Sequence, residues 1–298
     1  MSPSPDSSAR PAESLHSLLA ASIDYAGMYP PSSLSMPDAL LEYSEHHLGP
    51  TGWMLNRFVV PSAVLEELRR CAATVRSPAG GWRISATMDD LSALSDFNPQ
   101  PSGTPRMIVD AIEIRAKSVE SITQAAAGQA REIAQFFEVP LDQDVAEFAA
   151  AAKSAGCFLK VRTGGLSSFP ASRELAHFIC VCVLAGVPFK LTAGLHHPLR
   201  GLYPLEGPVR GPNVPMHGFL NVMIATALAR AQMDEEAVAS ALEEEMDPSA
   251  FTFTNEGAVW REHSMSIPQL KAARECLLSF GSCSVDEPVE GLRALALI

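Results

Sequence analysis

The chain has 298 residues, 47% of them hydrophobic and 19% charged, which supplies a large core and argues against a disordered chain. Its formal net charge of −12 disfavours nucleic-acid backbone binding, although local basic groups can still hold a small anion. A β/α barrel accommodates this length as one domain.

In chain order, residues 1–10 are polar and Pro/Ser-rich and are expected to form a flexible tail, leaving 11–298 as the folded domain. The tail lacks the apolar stretch of a signal peptide, and no apolar run reaches membrane-spanning length. No membrane partner is therefore expected. Cys180 and Cys182, inside the apolar run FICVCVL, read as reduced core residues, which fits a cytoplasmic location.

Residues 11–22 read as a helix closing the bottom of the fold. Eight strand-like runs follow, at 23–28, 53–61, 82–88, 109–116, 135–140, 157–164, 188–195 and 250–257. Helical patterns fall at 37–48, 62–75, 118–133, 143–154, 171–185, 214–231, 234–245 and 267–279. Strand–helix alternation of this kind implies a parallel sheet with helical crossovers. The expected fold class is α/β, a single (β/α)8 barrel of TIM type, with an open doubly wound sheet as the alternative. No GxGxxG or P-loop pattern follows the first strand. Residues 197–215, rich in Pro and Gly, are expected to be a long loop after strand seven, acting as a lid or binding loop at the barrel mouth.

A barrel strand is covered on both faces, so a charge within it is costly unless paired or used. Charges nevertheless collect near the strand ends. Period-two spacing puts Lys160 with Arg162 on one face of strand six, Glu113 with Arg115 on one face of strand four, and Lys190 with Thr192 on one face of strand seven. Arg57 lies on strand two, Glu138 on strand five, and Asn255 ends strand eight. Asp24 and Tyr25 near the end of strand one form a second-rank proton-donor pair.

Internal salt bridges, such as Glu113 to Arg162, account for single residues. A catalytic rim accounts for acids and bases arriving from at least five strands. Arg57, Arg115 and Arg162 are candidates to grip a carboxylate or phosphate bidentately, with the backbone at Gly164 and Gly165 approaching the same anion. Thr192 and Asn255 complete the candidate binding set. A lysine amine attacks a carbonyl only when neutral, and a second cation nearby lowers its pKa toward that state; Lys160 and Lys190 on adjacent strands suit this chemistry.

The motif FLKVRTGG around Lys160 resembles the strand-six lysine motif of the class I aldolase family of deoxyribose-phosphate aldolase type, roughly FIKTSTG. PFKLTAGLHHPLR around Lys190 is similar to that family's strand-seven motif, and VDAI at 109–112 to its strand-four VDVV. The resemblance implies a lyase that makes or breaks a carbon–carbon bond through a lysine Schiff base. It implies Lys160 as the Schiff-base lysine, Lys190 as its pKa partner and Asp110 as a proton relay, with no cofactor. Arg162 stands where the family carries Ser or Thr, and His196-His197 replace its Gly-Gly turn. Asp110 has the opposite parity to Glu113, so Glu113 and Glu138 remain equal candidates for proton transfer.

The expected partner is a small anionic carbonyl substrate, with a homo-oligomer allowed by the composition. Two alternatives stand beside this reading. In one, His196 and His197 with Glu138 or Glu113 bind a divalent metal in a hydrolase or lyase, the following Pro198 turning the chain so that both rings converge. In the other, the barrel binds an anionic metabolite without catalysis.

Overall fold

The structure is a computed structural model and describes residues 10–78, 80–88, 106–126, 133–165, 169–205, 211–245 and 248–298. Most of the expected tail, residues 1–9, lies outside the described residues. Helix α1 (Glu13–Leu19) precedes β1 (Ile23–Tyr25), α2 (Met36–Leu48), β2 (Leu55–Pro61), α3 (Leu65–Ala72) and β3 (Trp82–Met88). Then come β4 (Met107–Arg115), α4 (Val119–Ala126), β5 (Ala134–Glu138), α5 (Val145–Ala155), β6 (Phe158–Arg162), α6 (Ser172–Ala185) and β7 (Phe189–Thr192). The last third holds β8 (Gly201–Pro204), β9 (Asn213–Met216), α7 (Phe219–Arg230), α8 (Glu235–Glu243), β10 (Phe251–Phe253), β11 (Gly257–Trp260), β12 (His263–Ser266), α9 (Ile267–Arg274), β13 (Leu277–Ser282) and α10 (Asp286–Ala294).

Eight parallel strands close into a barrel in the order β1-β13-β7-β6-β5-β4-β3-β2. The fold is thus the expected α/β barrel, with seven of its strands where the alternation puts them. The eighth is corrected. Residues 251–253 belong to a separate antiparallel sheet, β10-β11-β12, and the barrel closes through β13, whose first three residues overlap the end of the span read as a helix at 267–279. The reason lies in the side chains of β13. Phe280 faces outward and stacks on Phe219 of α7, whereas Ser279 faces inward to bond Asp24. LLSFGS therefore lacks the apolar run that marks other barrel strands.

The connection after β7 is also corrected. Its extra length forms an antiparallel ribbon, with Gly201 opposite Met216 and Pro204 opposite Asn213, so 213–216 is strand and not the start of a helix. Residues 206–210 lie outside the described residues. Tyr203 anchors this ribbon. Its hydroxyl donates to the Leu199 carbonyl at 2.9 Å and its ring stacks on His197.

Local signals explain the regular helices. Asp144 accepts from the Ala146 N–H at the start of α5, and Gly156 ends that helix in the left-handed conformation. Ser266 and Gln269 form a capping box on α9. Helix α7 is buried from Phe219 to Ala229 because α6, α8, α9 and β13 pack around it, which its all-round apolar sequence requires. Among the described residues, no helix is long and apolar enough to cross a membrane.

Candidate active site

Barrel interiors are ordinarily filled by branched aliphatic side chains. Here the middle of the barrel is polar: Asp24, Ser85, Glu113, Lys160, Lys190 and Ser279 are all buried. Strand register sets this up, since Lys160 and Lys190 are direct neighbours on β6 and β7, and Glu138 on β5 is the neighbour of Lys160. Burying charges is tolerable only if each is paired and hydrogen-bonded. Lys160 Nζ contacts Glu113 Oε2 and Glu138 Oε2, each at 2.8 Å. Lys190 Nζ donates to Glu113 Oε1 at 2.7 Å and to Asp24 Oδ2. Ser85 donates to Glu113 and Ser279 to Asp24, both at 2.7 Å.

Glu113 thus stands between the two lysines. Burial disfavours the Lys160 ammonium, but the carboxylates of Glu113 and Glu138 outweigh it and hold the pKa above the usual lysine value. This corrects the expectation that Lys190 lowers the Lys160 pKa, because a carboxylate bridges the two cations. Burial pushes Glu113 and Glu138 upward, yet the neighbouring cations hold both below the usual carboxylate range. Asp24 follows the same pattern, with Lys190 overcoming its burial.

Above this layer opens a cavity of about 840 Å³ at the C-terminal ends of the strands. Lys160, Glu113 and Glu138 line it; Lys190 does not. Arg115, Arg162, Thr192 and Gly165, all expected at the rim, line it too. Arg115 and Arg162 each approach Glu138 Oε1 at 3.5 Å while remaining 69% and 50% exposed, so their guanidinium groups retain free donors. The ribbon contributes Pro204, Leu205 and Met216 as one wall.

Other expected site residues lie elsewhere. Asp110 is skipped by the β3–β4 register, which pairs Ile84 with Val109 and Ser85 with Ala111. It accepts from Arg57 at 2.6 Å and from Arg83 at 2.8 Å, and neither Asp110 nor Arg57 lines the cavity. Asn255 sits in the exposed turn between β10 and β11, where its Oδ1 accepts from the Glu13 backbone N–H at 3.0 Å. Gly164 packs against Gly194: a Cβ on Gly164 would come within 2.8 Å of the Gly194 Cα. Its role is close approach of two strand ends, and it is Gly165 that faces the cavity.

His196 and His197 both line the cavity but serve different partners. His197 stacks on Tyr203 with ring centroids 3.5 Å apart, and burial lowers its pKa to about 4. His196 Nδ1 lies 3.1 Å from Glu287 Oε2. Glu113 and Glu138, expected to complete a metal set with them, are bonded to Lys160. Among the described residues, no three His, Cys, Asp or Glu side chains group to hold a metal ion.

Cavity residues outside the sequence-predicted set include Tyr29, Cys283 and Glu287. Tyr29 lines the wall and its hydroxyl shares a 2.7 Å hydrogen bond with that of Thr87; burial raises its pKa to about 12. Its signal is the YPP segment just after β1. Cys283 lines the wall just beyond β13, the strand that sequence reading did not find. Asp24 is central, whereas Tyr25 packs away from the cavity on Tyr43 and Phe58. Compared with models of known protein families and with curated proteins, the chain matches none.

Proposed function

We propose that the protein is a lyase of aldolase type, cleaving or forming a carbon–carbon bond of a small anionic carbonyl compound through a Schiff base on Lys160. The observation that carries this reading is a single cavity that presents a lysine amine bonded to two carboxylates below two half-free arginines. Arg115 and Arg162 hold the substrate anion at the rim. Entry of the carbonyl compound displaces water, which makes the charged Lys160–Glu138 pair costlier. The proton then passes from Lys160 to Glu138, and both become neutral.

The free amine attacks the carbonyl carbon. Glu138 returns the proton to the departing oxygen, so that water leaves and a protonated imine remains. That imine draws the electron pair of the bond between the α- and β-carbons into an enamine, while Glu138 takes the proton of the β-hydroxyl, whose carbon leaves as a carbonyl. Glu113, fixed between Lys160 and Lys190, stays ionised and stabilises the cationic intermediate. Lys190 positions Glu113 and Asp24 from beneath and does not meet the substrate. We further propose a cytoplasmic setting.

Proton exchange tests the reading independently of the natural substrate. In D2O, a small panel of keto acids and phosphorylated aldehydes or ketones is followed by NMR for deuterium uptake next to the carbonyl. Exchange with at least one compound, lost in Lys160→Met and reduced about 10²- to 10⁴-fold in Glu138→Gln, is expected. Exchange that persists in Lys160→Met contradicts the proposal.

A further inference from the structure

The carbonyl chemistry leaves one cluster on the cavity wall unused: Cys283, His196 and Glu287, with the buried Ser282 beside them. We propose that Cys283 is a reactive thiol within the barrel-mouth cavity, a site of covalent modification by peroxides and small soft electrophiles. The hydrogen-bond directions support this. The Ser282 hydroxyl donates to the Ser284 carbonyl at 2.6 Å, so towards His196 it can only accept. Glu287, an ionised carboxylate at 3.1 Å from the same Nδ1, also only accepts. Both neighbours therefore require a proton on Nδ1.

Cys283 Sγ lies 3.9 Å from that Nδ1, beside a fixed N–H donor. A thiolate accepts there more strongly than a thiol, and an imidazolium is the partner that activates a cysteine. Burial opposes both ions. Even so, hydrogen bonds from His196 and Ser32 hold the Cys283 pKa below the ordinary thiol value, and contact with Cys283 and Glu287 raises that of His196 to about 10. Cys283 is itself buried, at 6% exposure, and what sets it apart is its place: among the described residues no other cysteine lines the cavity, whereas Cys71, Cys180 and Cys276 are half-buried elsewhere and Cys182 lies in the core.

The chemistry balances with a peroxide as the oxidant. The sulfur electron pair attacks one peroxide oxygen, the O–O bond breaks, and the departing hydroxide takes the His196 proton and leaves as water. Cys283 becomes a sulfenic acid, oxidised by two electrons. No second cysteine of the cavity wall is there to trap it as a disulfide. Soft electrophiles instead form a thioether with loss of their leaving group.

The test does not depend on the carbonyl reaction. The native chain is treated at neutral pH with limiting iodoacetamide, and separately with hydrogen peroxide plus dimedone, and the labelled peptides are quantified by mass spectrometry. Cys283 is expected to alkylate about tenfold faster than the half-buried Cys71 and Cys276, and to carry the dimedone adduct. His196→Gln is expected to slow labelling of Cys283 by about tenfold while leaving Cys71 unchanged as an internal control of folding. Labelling of Cys283 no faster than Cys71, or unaffected by His196→Gln, overturns the proposal.

Discussion

At the residue scale the site rests on paired charges. Lys190 is 1% exposed and satisfies two buried carboxylates, Asp24 and Glu113. Removing one partner of such a group leaves an uncompensated charge in the interior. Lys190→Met is therefore expected to cost about 3–5 kcal/mol in urea unfolding. A loss below about 1 kcal/mol contradicts the picture of Lys190 as an internal counter-charge. The shared faces of Lys160 with Arg162 and of Glu113 with Arg115 were legible in the sequence from period-two alternation, and Glu138 only as a charge on strand five. Their pairing was not legible. The contact of Lys160 with Glu113 joins β6 to β4 past the intervening β5, and neither spacing nor parity reports how far a side chain reaches. Asp110 shows the other limit: the register shift that sets it apart from its neighbours has no sequence signature within VDAIEI.

At the scale of elements, the ends of β6 and β7 meet where no side chain fits. Gly194 has φ of +76°, and a Cβ there would lie 2.9 Å from the Gly164 Cα. Gly194→Ala combines left-handed backbone strain with overpacking, so thermal unfolding is expected to report a loss of about 2–4 kcal/mol. An unchanged midpoint contradicts the close approach. A milder loss of about 1 kcal/mol is expected for Asp144→Ala, which removes the N-cap of α5. Seven barrel strands were visible because their outward faces are apolar, as with Trp82, Ile84 and Ala86 of β3 and Leu159 and Val161 of β6. β13 was hidden because its inward positions after Leu277 are the small Ser279 and Gly281, and Ser279 is there to bond Asp24. The residue that organises the floor thus obscured the strand that closes it.

At the scale of the molecule, a barrel with an ionised interior ties stability to pH. Asp24, Glu113 and Glu138 have folded pKa values below their unfolded ones. Their contribution is complete above the unfolded carboxylate values, about 4, and is lost as pH falls through the folded values. Through these carboxylates the thermal midpoint is expected to fall steeply below about pH 4. Lys160, whose pKa is raised, acts in the opposite sense: its contribution is complete below the unfolded lysine value of about 10.4 and fades as pH rises above it. A midpoint that rises as pH falls below about 4 contradicts this charge balance.

The proposed chemistry turns on which amine the cavity presents. The protein is incubated with the same panel of keto acids and phosphorylated carbonyl compounds, reduced with borohydride, digested and mapped by mass spectrometry. A secondary-amine adduct on Lys160, absent from Lys190, is the expected result. No adduct across the panel, or an adduct on Lys190 with Lys160 unmodified, contradicts a Schiff base at Lys160.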